Sequence, residues 1–578
     1  RHAQQALNKE LFMVYGHGDG GGGPTREMLE NIRRMEKGIP GCPSIRHEHM
    51  RPYFERLLKR MAERPADYPT WVGELYLEYH RGTLTSVAKN KRNSRLAEQT
   101  LRELEVLAVL AQDRVGLPYP AEQLHDLWRI VLLNQFHDIL PGTSIGGVFD
   151  DSDRDYAQFL EAAEPLRGAL TGALAGKGGF GLLNALGRSR DGLLEFDADQ
   201  PSSLTIGGQA LASQIIHRAD GRTRQGVLVK DLPATSVATV QCAEADLAED
   251  TGGLGGSAHH LENALIAARF DDKGRLVSLF DKRRGRETIK PGQAANRLQA
   301  YRDMPVEYDA WDIDDSFEDQ VWEIDTLVSA EVVETGPHRA AIRFEWRYER
   351  SRIVQIVALE AGSDRLDFDS FVDWHEHDTL VKVAFPLDVL AQESTAEIQF
   401  GHVRRPSHAN TSWDQARFET VMHRWVDVSE PDFGVAFVND CKYGYDVRGS
   451  TVRLTLLKSP VYPWPEADQG EHHFRYAAIV HHGLLASDIP ARAEAYNLPL
   501  RLVAGQGDEA ASGPLLALDG QGATLEALKR SEDGTGLIAR IWETHGRSGA
   551  VSVHLPEGTS QAQIVNLLER DPQALIIE

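Results

Sequence analysis

The 578-residue sequence has few cysteines and no long apolar stretch. No run approaches the roughly 18 apolar residues that a membrane-spanning helix requires, so no membrane association is expected. The first residues, RHAQQALNKE, include no apolar core of the kind that a secretory signal has. The three cysteines (Cys42, Cys242 and Cys441) lie far apart and form no CxxC pair. This scarcity excludes a disulfide scaffold and a cysteine-rich zinc site, and it favours a reducing, cytoplasmic location.

Positive charge is also scarce. Acidic residues outnumber basic ones by 86 to 62, which gives a formal charge of −24. A surface of this sign repels phosphate backbones and anionic lipids, so binding to nucleic acid or to a membrane surface is not expected. In the absence of a cysteine cluster, histidine and carboxylate side chains would have to hold any metal ion. The 22 histidines do not by themselves say which ones.

The pattern of apolar residues changes near residue 178. Before it, helical periodicity and capping signals predict helices at 25–37, 52–64, 86–113, 121–136 and 151–174. After it, alternating β-branched segments predict strands at 266–270, 328–334, 340–347, 381–385, 452–456 and 550–554. Two glycine-rich stretches, GKGGFG (176–181) and DTGGLGGSA (250–258), predict junctions between domains. The sequence therefore predicts a multidomain α+β chain whose second part consists mainly of antiparallel β-sandwiches.

The segment VYGHGDGGGGPTREML (14–29) carries a glycine-rich loop just before the first predicted helix. Four consecutive glycines let the backbone turn tightly or approach a ligand closely. His17 and Asp19 stand at the entrance of this loop, and Asp19 is our candidate for a carboxylic acid close to a substrate. The literal GxGxxG match is weak, because no acidic strand end follows about 20 residues on, and a P-loop is excluded because no GK[ST] follows. A plain strand-to-helix turn is the simpler alternative.

The segment LLNQFHDILPGTSI (132–145) places His137 and Asp138 at the end of an amphipathic helix. A neutral imidazole is a good zinc ligand, and an adjacent carboxylate can orient a substrate hydroxyl. A histidine at a helix end more often has only a structural role. A zinc site also needs at least three protein ligands, and no HExxH or CxxC motif supplies the others.

Two further segments are weaker candidates. In WHEHD (374–378), His375 and His377 alternate as they would on one face of a strand, which fits a polar strand edge better than a metal site. YDAWDIDD (308–315) combines aromatic and acidic residues in a predicted loop. Sugars favour this combination, since their C–H faces stack on rings and their hydroxyls bind carboxylates, so Trp311 and Asp312 are candidate sugar contacts. A solvated acidic loop is an equal alternative.

Several segments in order resemble glycoside hydrolase family 38, and especially its cytosolic-type α-mannosidases. They are GHGDGGGGPTREML, GELYLEYHRGTLTS (73–86), LLNQFHDILPGTSIGGVFDD (132–151), FGHVRRPSHANTSWDQARFE (400–419), HRWVDVSEPDFGVAFVNDCKYGYD (423–446) and EADQGEHHFRYA (466–477). The likeness runs from about residue 12 to beyond residue 480, so it is far more specific than any single motif.

The resemblance implies a multidomain α+β architecture of a (β/α)7 catalytic barrel, a three-helix bundle and antiparallel β-sandwich domains. On this chain we expect a remnant of the barrel at 1–47, a helical bundle at 48–176, a small β domain at 177–257, a large β-sandwich at 258–502 and a small carboxy-terminal β domain at 503–578.

The resemblance also implies hydrolysis of terminal α-linked mannose in oligosaccharides, with retention of configuration and one zinc ion. Of the family's zinc ligands only His137 is matched, Asp138 matches a residue that contacts sugar hydroxyls, and Asp19 is the candidate acid/base. His17, Trp311 and Asp312 are weaker candidate substrate contacts.

The family's amino-terminal HxD pair and its nucleophile have no match, so we expect that segment to be absent and the chain to be inactive by itself. A non-catalytic glycan-binding fragment and one half of a split mannosidase are the alternatives. The resemblance also makes the β domains candidates for contacts between copies of the chain.

Overall fold

The computed structural model describes residues 6–18, 21–247, 253–485, 488–507, 513–520 and 522–577. The chain folds as two compact units, Arg1–Tyr76 and Leu77–Glu578. None of the helices in these described ranges is long and apolar enough to cross a membrane. Cys42 and Cys242 are exposed and Cys441 is buried, and all three are free thiols.

The first unit contains two helices, α1 (Arg26–Met35) and α2 (Met50–Glu63). The Thr25 hydroxyl accepts a hydrogen bond from the backbone N–H of Met28 (3.1 Å) and so caps α1, as its position before the helix predicts. The ring of Phe12 stacks on Tyr53 of α2, with centroids 5.1 Å apart. The helices predicted at 25–37 and 52–64 are therefore confirmed to within two residues at each end.

The second unit begins with three packed helices. They are α3 (Ala88–Val115), α4 (Ala121–Asn134) and α5 (Gly146–Leu174). Leu101, Leu104 and Phe159 are fully buried in their shared core. Helix α5 begins five residues before the predicted start. The two glycines that open it have low helix propensity, so the sequence pattern did not indicate the true start. Two shorter helices follow within the β-rich part, α6 (Ser412–Ala416) and α7 (Ile489–Asn497).

The strands of the described residues occupy most of the chain after residue 179. The first group is β1 (Phe180–Asn184), β2 (Arg190–Phe196), β3 (Ser202–Ile206), β4 (Gln209–Ala212), β5 (Gln214–His217), β6 (Thr223–Leu232), β7 (Ser236–Glu244), β8 (Gly255–Ser257), β9 (His260–Glu262), β10 (Ile266–Phe270), β11 (Leu276–Asp281) and β12 (Arg286–Glu287). The second is β13 (Arg297–Arg302), β14 (Val321–Glu323), β15 (Thr326–Gly336), β16 (Arg339–Tyr348), β17 (Ser351–Glu360), β18 (Arg365–Trp374), β19 (Thr379–Pro386), β20 (Glu393–Ile398), β21 (Gly401–Pro406), β22 (Thr420–Val421), β23 (Trp425–Glu430), β24 (Phe433–Asn439), β25 (Gly444–Arg448), β26 (Thr451–Lys458) and β27 (Gly470–His481). The last is β28 (Leu502–Ala504), β29 (Ala517–Asp519), β30 (Ala523–Arg530), β31 (Leu537–Glu543), β32 (Ser552–His554), β33 (Ala562–Ile564) and β34 (Gln573–Leu575).

A large sandwich forms from two antiparallel sheets of nine and six strands, in the orders β15-β16-β17-β18-β27-β24-β23-β20-β21 and β14-β13-β19-β26-β25-β22. Phe385 on the smaller sheet packs against Phe437 and Phe368 on the larger one, with ring centroids 4.7 and 5.9 Å apart. The six strands predicted from alternation are all present, so the expectation of antiparallel β structure is confirmed.

A smaller sandwich pairs the sheet β28-β1-β7-β3-β4 with the sheet β2-β6-β5. Strand β28 follows the large sandwich in the chain, yet it returns to pair with β1 through Leu182 and Leu502. The predicted domains follow one another along the sequence, and their limits stay a prediction. Consecutive domains of this kind do not account for the pairing of β28 with β1.

The expected placement of His375 and His377 on one strand face is wrong. Strand β18 ends at Trp374, which is fully buried, and both histidines follow it in the loop before β19. His375 Nε2 lies 2.8 Å from Asp373 Oδ1. Because β18 ends one residue before His375, the two imidazoles do not form a ligand pair on a sheet.

Candidate functional site

The loop 135–145 joins α4 to α5, and side chains on both neighbouring helices fix its first residues. Asn134 Nδ2 donates to Ile130 O and to Asp155 Oδ2, both at 3.0 Å. The next side chain, Gln135, donates to Glu98 Oε1 on α3 (2.7 Å). Helix α4 therefore ends at a position that is tied to both α3 and α5 before the loop begins.

His137 and Asp138 lie at the surface immediately after this fixed helix end. The His137 side chain is 77% exposed, and its Nε2 lies 3.4 Å from Asp138 Oδ2. Its ring leans on Phe136, with centroids 4.3 Å apart. The other carboxylate oxygen of Asp138, Oδ1, accepts a hydrogen bond from Thr143 Oγ1 (2.8 Å). The structure thus brings the two predicted residues together as an oriented, solvent-facing imidazole and carboxylate.

The surface around this pair is apolar. Leu133, Phe136 and Ile145 are each more than half exposed. An exposed apolar rim around polar groups is typical of a binding or interface surface.

The second half of the loop rests on the residues that precede α3. Gly142 adopts φ 85°, a left-handed conformation that favours glycine, and a Cβ atom there would collide with the backbone of Ser86. The buried Lys91 ammonium donates to Ser86 O (2.5 Å), Leu140 O (2.9 Å) and Pro141 O (3.1 Å). Lys91 and Gly142 together hold the second half of the loop close to the start of α3.

The start of α3 is itself held from a distant part of the chain. Asp468 Oδ2 accepts from Val87 N (2.8 Å) and Oδ1 from Ala88 N (2.7 Å). A carboxylate at a helix N-terminus satisfies free N–H groups and complements the helix dipole. Burial raises the pKa of Asp468. The loop between β26 and β27 therefore helps to fix the start of α3, against which the loop 135–145 packs.

The backbone of Trp311 and of its neighbour Ala310 contacts the residues before α3, which also support the loop that carries His137. Ser86 Oγ donates to Ala310 O (2.7 Å), and Thr83 N donates to Trp311 O (3.2 Å). The Trp311 ring lies 6.3 Å from Tyr308 and 6.4 Å from Tyr462, measured between centroids, and both tyrosines are more than half exposed. The segment 83–86 thus contacts both the loop that carries His137 and the aromatic cluster of Trp311, Tyr308 and Tyr462.

Asp312 faces inward rather than outward. It is only 8% exposed, and its Oδ1 accepts from Arg81 Nη1 (3.2 Å) and from Ile313 N (2.8 Å). Burial raises the pKa of the Asp312 carboxyl, and the Arg81 guanidinium opposes this rise. Asp312 holds its loop against the residues before α3, and its predicted contact with a sugar stays a prediction.

The glycine-rich loop belongs to the first unit. Asp19 lies outside the described residues. His17 is exposed, and its ring lies beside Gly22. Their predicted roles as acid/base and substrate contact therefore stay predictions.

Sequence reasoning missed the residues that support the site, namely Ser86, Lys91, Gly142 and Asp468. Ser86 ends the quoted segment GELYLEYHRGTLTS, and Gly142 lies inside the second motif, so both carried a signal. No local pattern connects Asp468 to residue 88. As for zinc, His137 fits one ligand position because its imidazole edge is open to solvent, although no group of three His, Cys, Asp or Glu side chains in the described ranges is arranged to hold a metal ion.

Four family models match the chain in order. They are described as Glycosyl hydrolases family 38 N-terminal domain (residues 1–74), Alpha mannosidase middle domain (78–174), Glycosyl hydrolases family 38 C-terminal domain (261–466) and Glycosyl hydrolases family 38 C-terminal beta sandwich domain (522–578). Because the N-terminal domain model matches residues 1–74, the expectation that the chain lacks the family's amino-terminal segment is not supported. The expected inactivity of the chain is not supported either.

Curated relatives match almost all of the chain. Alpha-mannosidase 2C1 of Homo sapiens is 34% identical over 98% of this chain and 54% of its own length. Alpha-mannosidase of Saccharomyces cerevisiae is 28% identical over 98% of this chain and 52% of its own length. The chain thus spans about half the length of the curated relatives that it matches.

Solved structures with a similar fold include another α-mannosidase. An α-mannosidase from Enterococcus faecalis superposes with a TM-score of 0.77 at 18% identity, and the match covers 96% of this chain and 73% of that chain. This likeness extends over helices and sheets alike. The expected remnant of a (β/α)7 barrel stays a prediction.

Proposed function

We propose that the chain, which matches four domain models of the α-mannosidases and glycosyl hydrolases family 38, is part of a zinc-dependent α-mannosidase that hydrolyses terminal α-linked mannose in oligosaccharides with retention. The observation that carries this proposal is the oriented pair of His137 and Asp138 at the end of α4. It lies within the stretch that matches the family's middle domain. The relatives named as α-mannosidases support the same reaction class.

His137 would hold the zinc ion with its open imidazole edge. Zinc, when bound, supplies a positive charge that binds vicinal hydroxyls of the sugar and polarises them. The Phe136 ring and the fixed end of α4 limit the freedom of the imidazole, so little entropy is lost when it binds.

Asp138 would accept a hydrogen bond from a mannose hydroxyl. Thr143 holds one of its carboxylate oxygens, which leaves the oxygen nearer to His137 for the sugar. The exposed rings of Tyr308 and Tyr462, with the partly buried ring of Trp311, form a second surface beside the residues that precede α3, and such rings stack on the C–H faces of sugars.

Retaining hydrolysis needs two carboxyl groups about 5–5.5 Å apart. Asp19 is our candidate for the acid that protonates the leaving oxygen and later takes a proton from water. The nucleophile is not identified in this sequence.

His137→Ala in the natural full-length protein tests the proposal. We expect it to remove most of the bound zinc, measured by metal analysis, and most of the activity on an aryl α-mannoside, because a catalytic zinc is held by only a few protein ligands. His125→Ala is the matched control, since His125 is an exposed histidine on α4, the helix that precedes the loop of His137. Full activity and metal content in His137→Ala would contradict the assigned role.

A cytoplasmic location and contacts between copies through the β domains remain proposals as well. Cell fractionation would test the first. Light scattering across a concentration series would test the second.

A further inference from the structure

A cavity of about 820 Å³ lies in the second unit, away from the loop 135–145. Its walls come from α3 and α5, from β2 of the small sandwich, from β17 and β18 of the large one, and from the residues after α7. A volume of this size is typical of sites that enclose a small organic ligand.

The walls of this cavity are crowded with charge. They carry eleven arginines and ten carboxylates. Each of the ten carboxylates is already in an ion pair. Among the eleven arginines, seven are paired, and four have no carboxylate partner among the described residues, namely Arg92, Arg95, Arg190 and Arg501. The excess of unpaired charge in this cavity is therefore positive, in a chain whose net charge is −24.

Arg95 is the most deeply placed of the four, at 4% exposure. Its Nε donates to Tyr443 Oη and its Nη1 to Asn497 Oδ1, both at 3.0 Å, and both acceptors are neutral. Its buried Nη2 has no hydrogen-bond partner in the described part of the chain. A buried charged donor that lacks a partner is costly, so it points to a missing acceptor.

Arg190, which contacts the end of α7, shows the same imbalance. Its Nη1 donates to the backbone oxygens of Leu498 (2.6 Å) and Ala495 (3.4 Å). The buried Nε atoms of Arg190 and Arg501 lack partners within the described ranges. Burial lowers the pKa of Arg190 to about 10, so a bound anion would favour its charged form.

We propose that this cavity binds a small phosphorylated molecule. A guanidinium presents a planar set of donors that matches phosphate oxygens. A phosphate has more acceptor oxygens than a carboxylate, so it can bind several guanidinium groups at once. The neutral partners of Arg95 and Arg190 keep these side chains in place without neutralising them. The binding of such an anion does not depend on mannosidase activity, so the two proposals succeed or fail separately.

Inorganic pyrophosphate is the probe for a calorimetric titration of the 578-residue chain at constant ionic strength. We expect saturable binding that Arg501→Gln and Arg92→Gln each weaken on the order of tenfold, because each removes one charge-assisted interaction. Arg222→Gln is the matched control: Arg222 lines the same cavity but is paired with Asp220 at 2.7 Å, so its loss should leave the affinity within about twofold.

Arg95→Gln and Arg190→Gln test the buried positions, with circular dichroism to confirm that each variant folds. Three results would overturn the proposal: no saturable heat with pyrophosphate, the same heat with chloride at equal ionic strength, or equal weakening by Arg222→Gln and Arg501→Gln.

Discussion

The loop 135–145 and the arginine-lined cavity differ in how their functional groups are held in position. At the loop, the groups available for chemistry are exposed, and hydrogen bonds to backbone carbonyls fix them from below, as Lys91 shows. At the cavity, the charged groups face inward and are fixed mainly by each other, in ion pairs such as Arg365 with Glu360 and Asp367.

This difference shows where each region is vulnerable. The loop depends on backbone geometry, because its contacts with Ser86 leave no room for adjustment. The cavity depends on the balance of charge, since a change in protonation there acts in a poorly solvated environment. Substitutions that change shape should therefore damage the loop most, and changes of pH should act most on the side of the cavity.

The largest effect is expected for Gly142→Ala. The left-handed φ alone costs about 1 kcal/mol for a residue with a Cβ atom. The collision with the Ser86 backbone should raise the total to about 2–4 kcal/mol of unfolding free energy. Urea unfolding followed by tryptophan fluorescence would measure it.

Gly116→Ala is the control for conformation alone, because Gly116 ends α3 with φ 71° and an added Cβ would meet no atom within 4 Å. If both variants lost the same stability, contact with Ser86 would not be what fixes the loop.

A smaller effect is expected from acid at His423, a buried histidine close to the charge of Arg95. Burial, with help from the nearby charge of Arg95, lowers the pKa of His423 to about 4. In the unfolded chain the imidazole takes up a proton below its ordinary value of 6.5, whereas the folded protein resists protonation until about pH 4. Stability is thus present above pH 6.5 and is lost as the pH falls from 6.5 towards 4, by about 1–3 kcal/mol from this group.

His423→Gln should flatten this part of the pH profile in urea unfolding between pH 7 and pH 4.5. His259→Gln is the control at an exposed histidine and should show the same acid slope as the unaltered chain. An unaltered acid slope in His423→Gln would show that the charge balance near Arg95 does not control stability there.

The smallest effect on stability is expected for Thr143→Val, which keeps the side-chain shape and removes the hydroxyl that binds Asp138. We expect a loss of about 1 kcal/mol. Thr83→Val is the control at a more exposed site, where the hydroxyl donates to His80 O (2.5 Å). If Asp138 needs this orientation, the activity of the full-length protein should fall roughly tenfold in Thr143→Val, since misplacement of a binding group is costly. Unchanged activity would separate the orientation of Asp138 from function.

The sequence predicts much of the secondary structure here and little of the support beneath the site. Helix periodicity locates α3 and α4 within two residues at each end, because their apolar stripes are long. It also places His137 and Asp138 together, since adjacent residues at a helix end cannot separate. It does not predict Asp468 at the start of α3, because no local pattern records a contact across 380 residues.

The cavity was not predicted for the same reason. Arg95 and Arg501 belong to distant segments, and each alone looks like an ordinary surface arginine. The error at His375 and His377 has a different cause, because alternation in the sequence continues past the residue at which the strand ends.

The pairing of β28 with β1 makes the large sandwich an insertion within the small one. The small sandwich becomes complete only after the chain has passed through every strand from β8 to β27. A fragment that stops before Leu502 would leave β1 with an open edge, and open edges recruit strands from other molecules. Division of this protein into independently folding pieces is therefore expected to succeed only if residues 502–504 stay with the piece that contains residues 180–244.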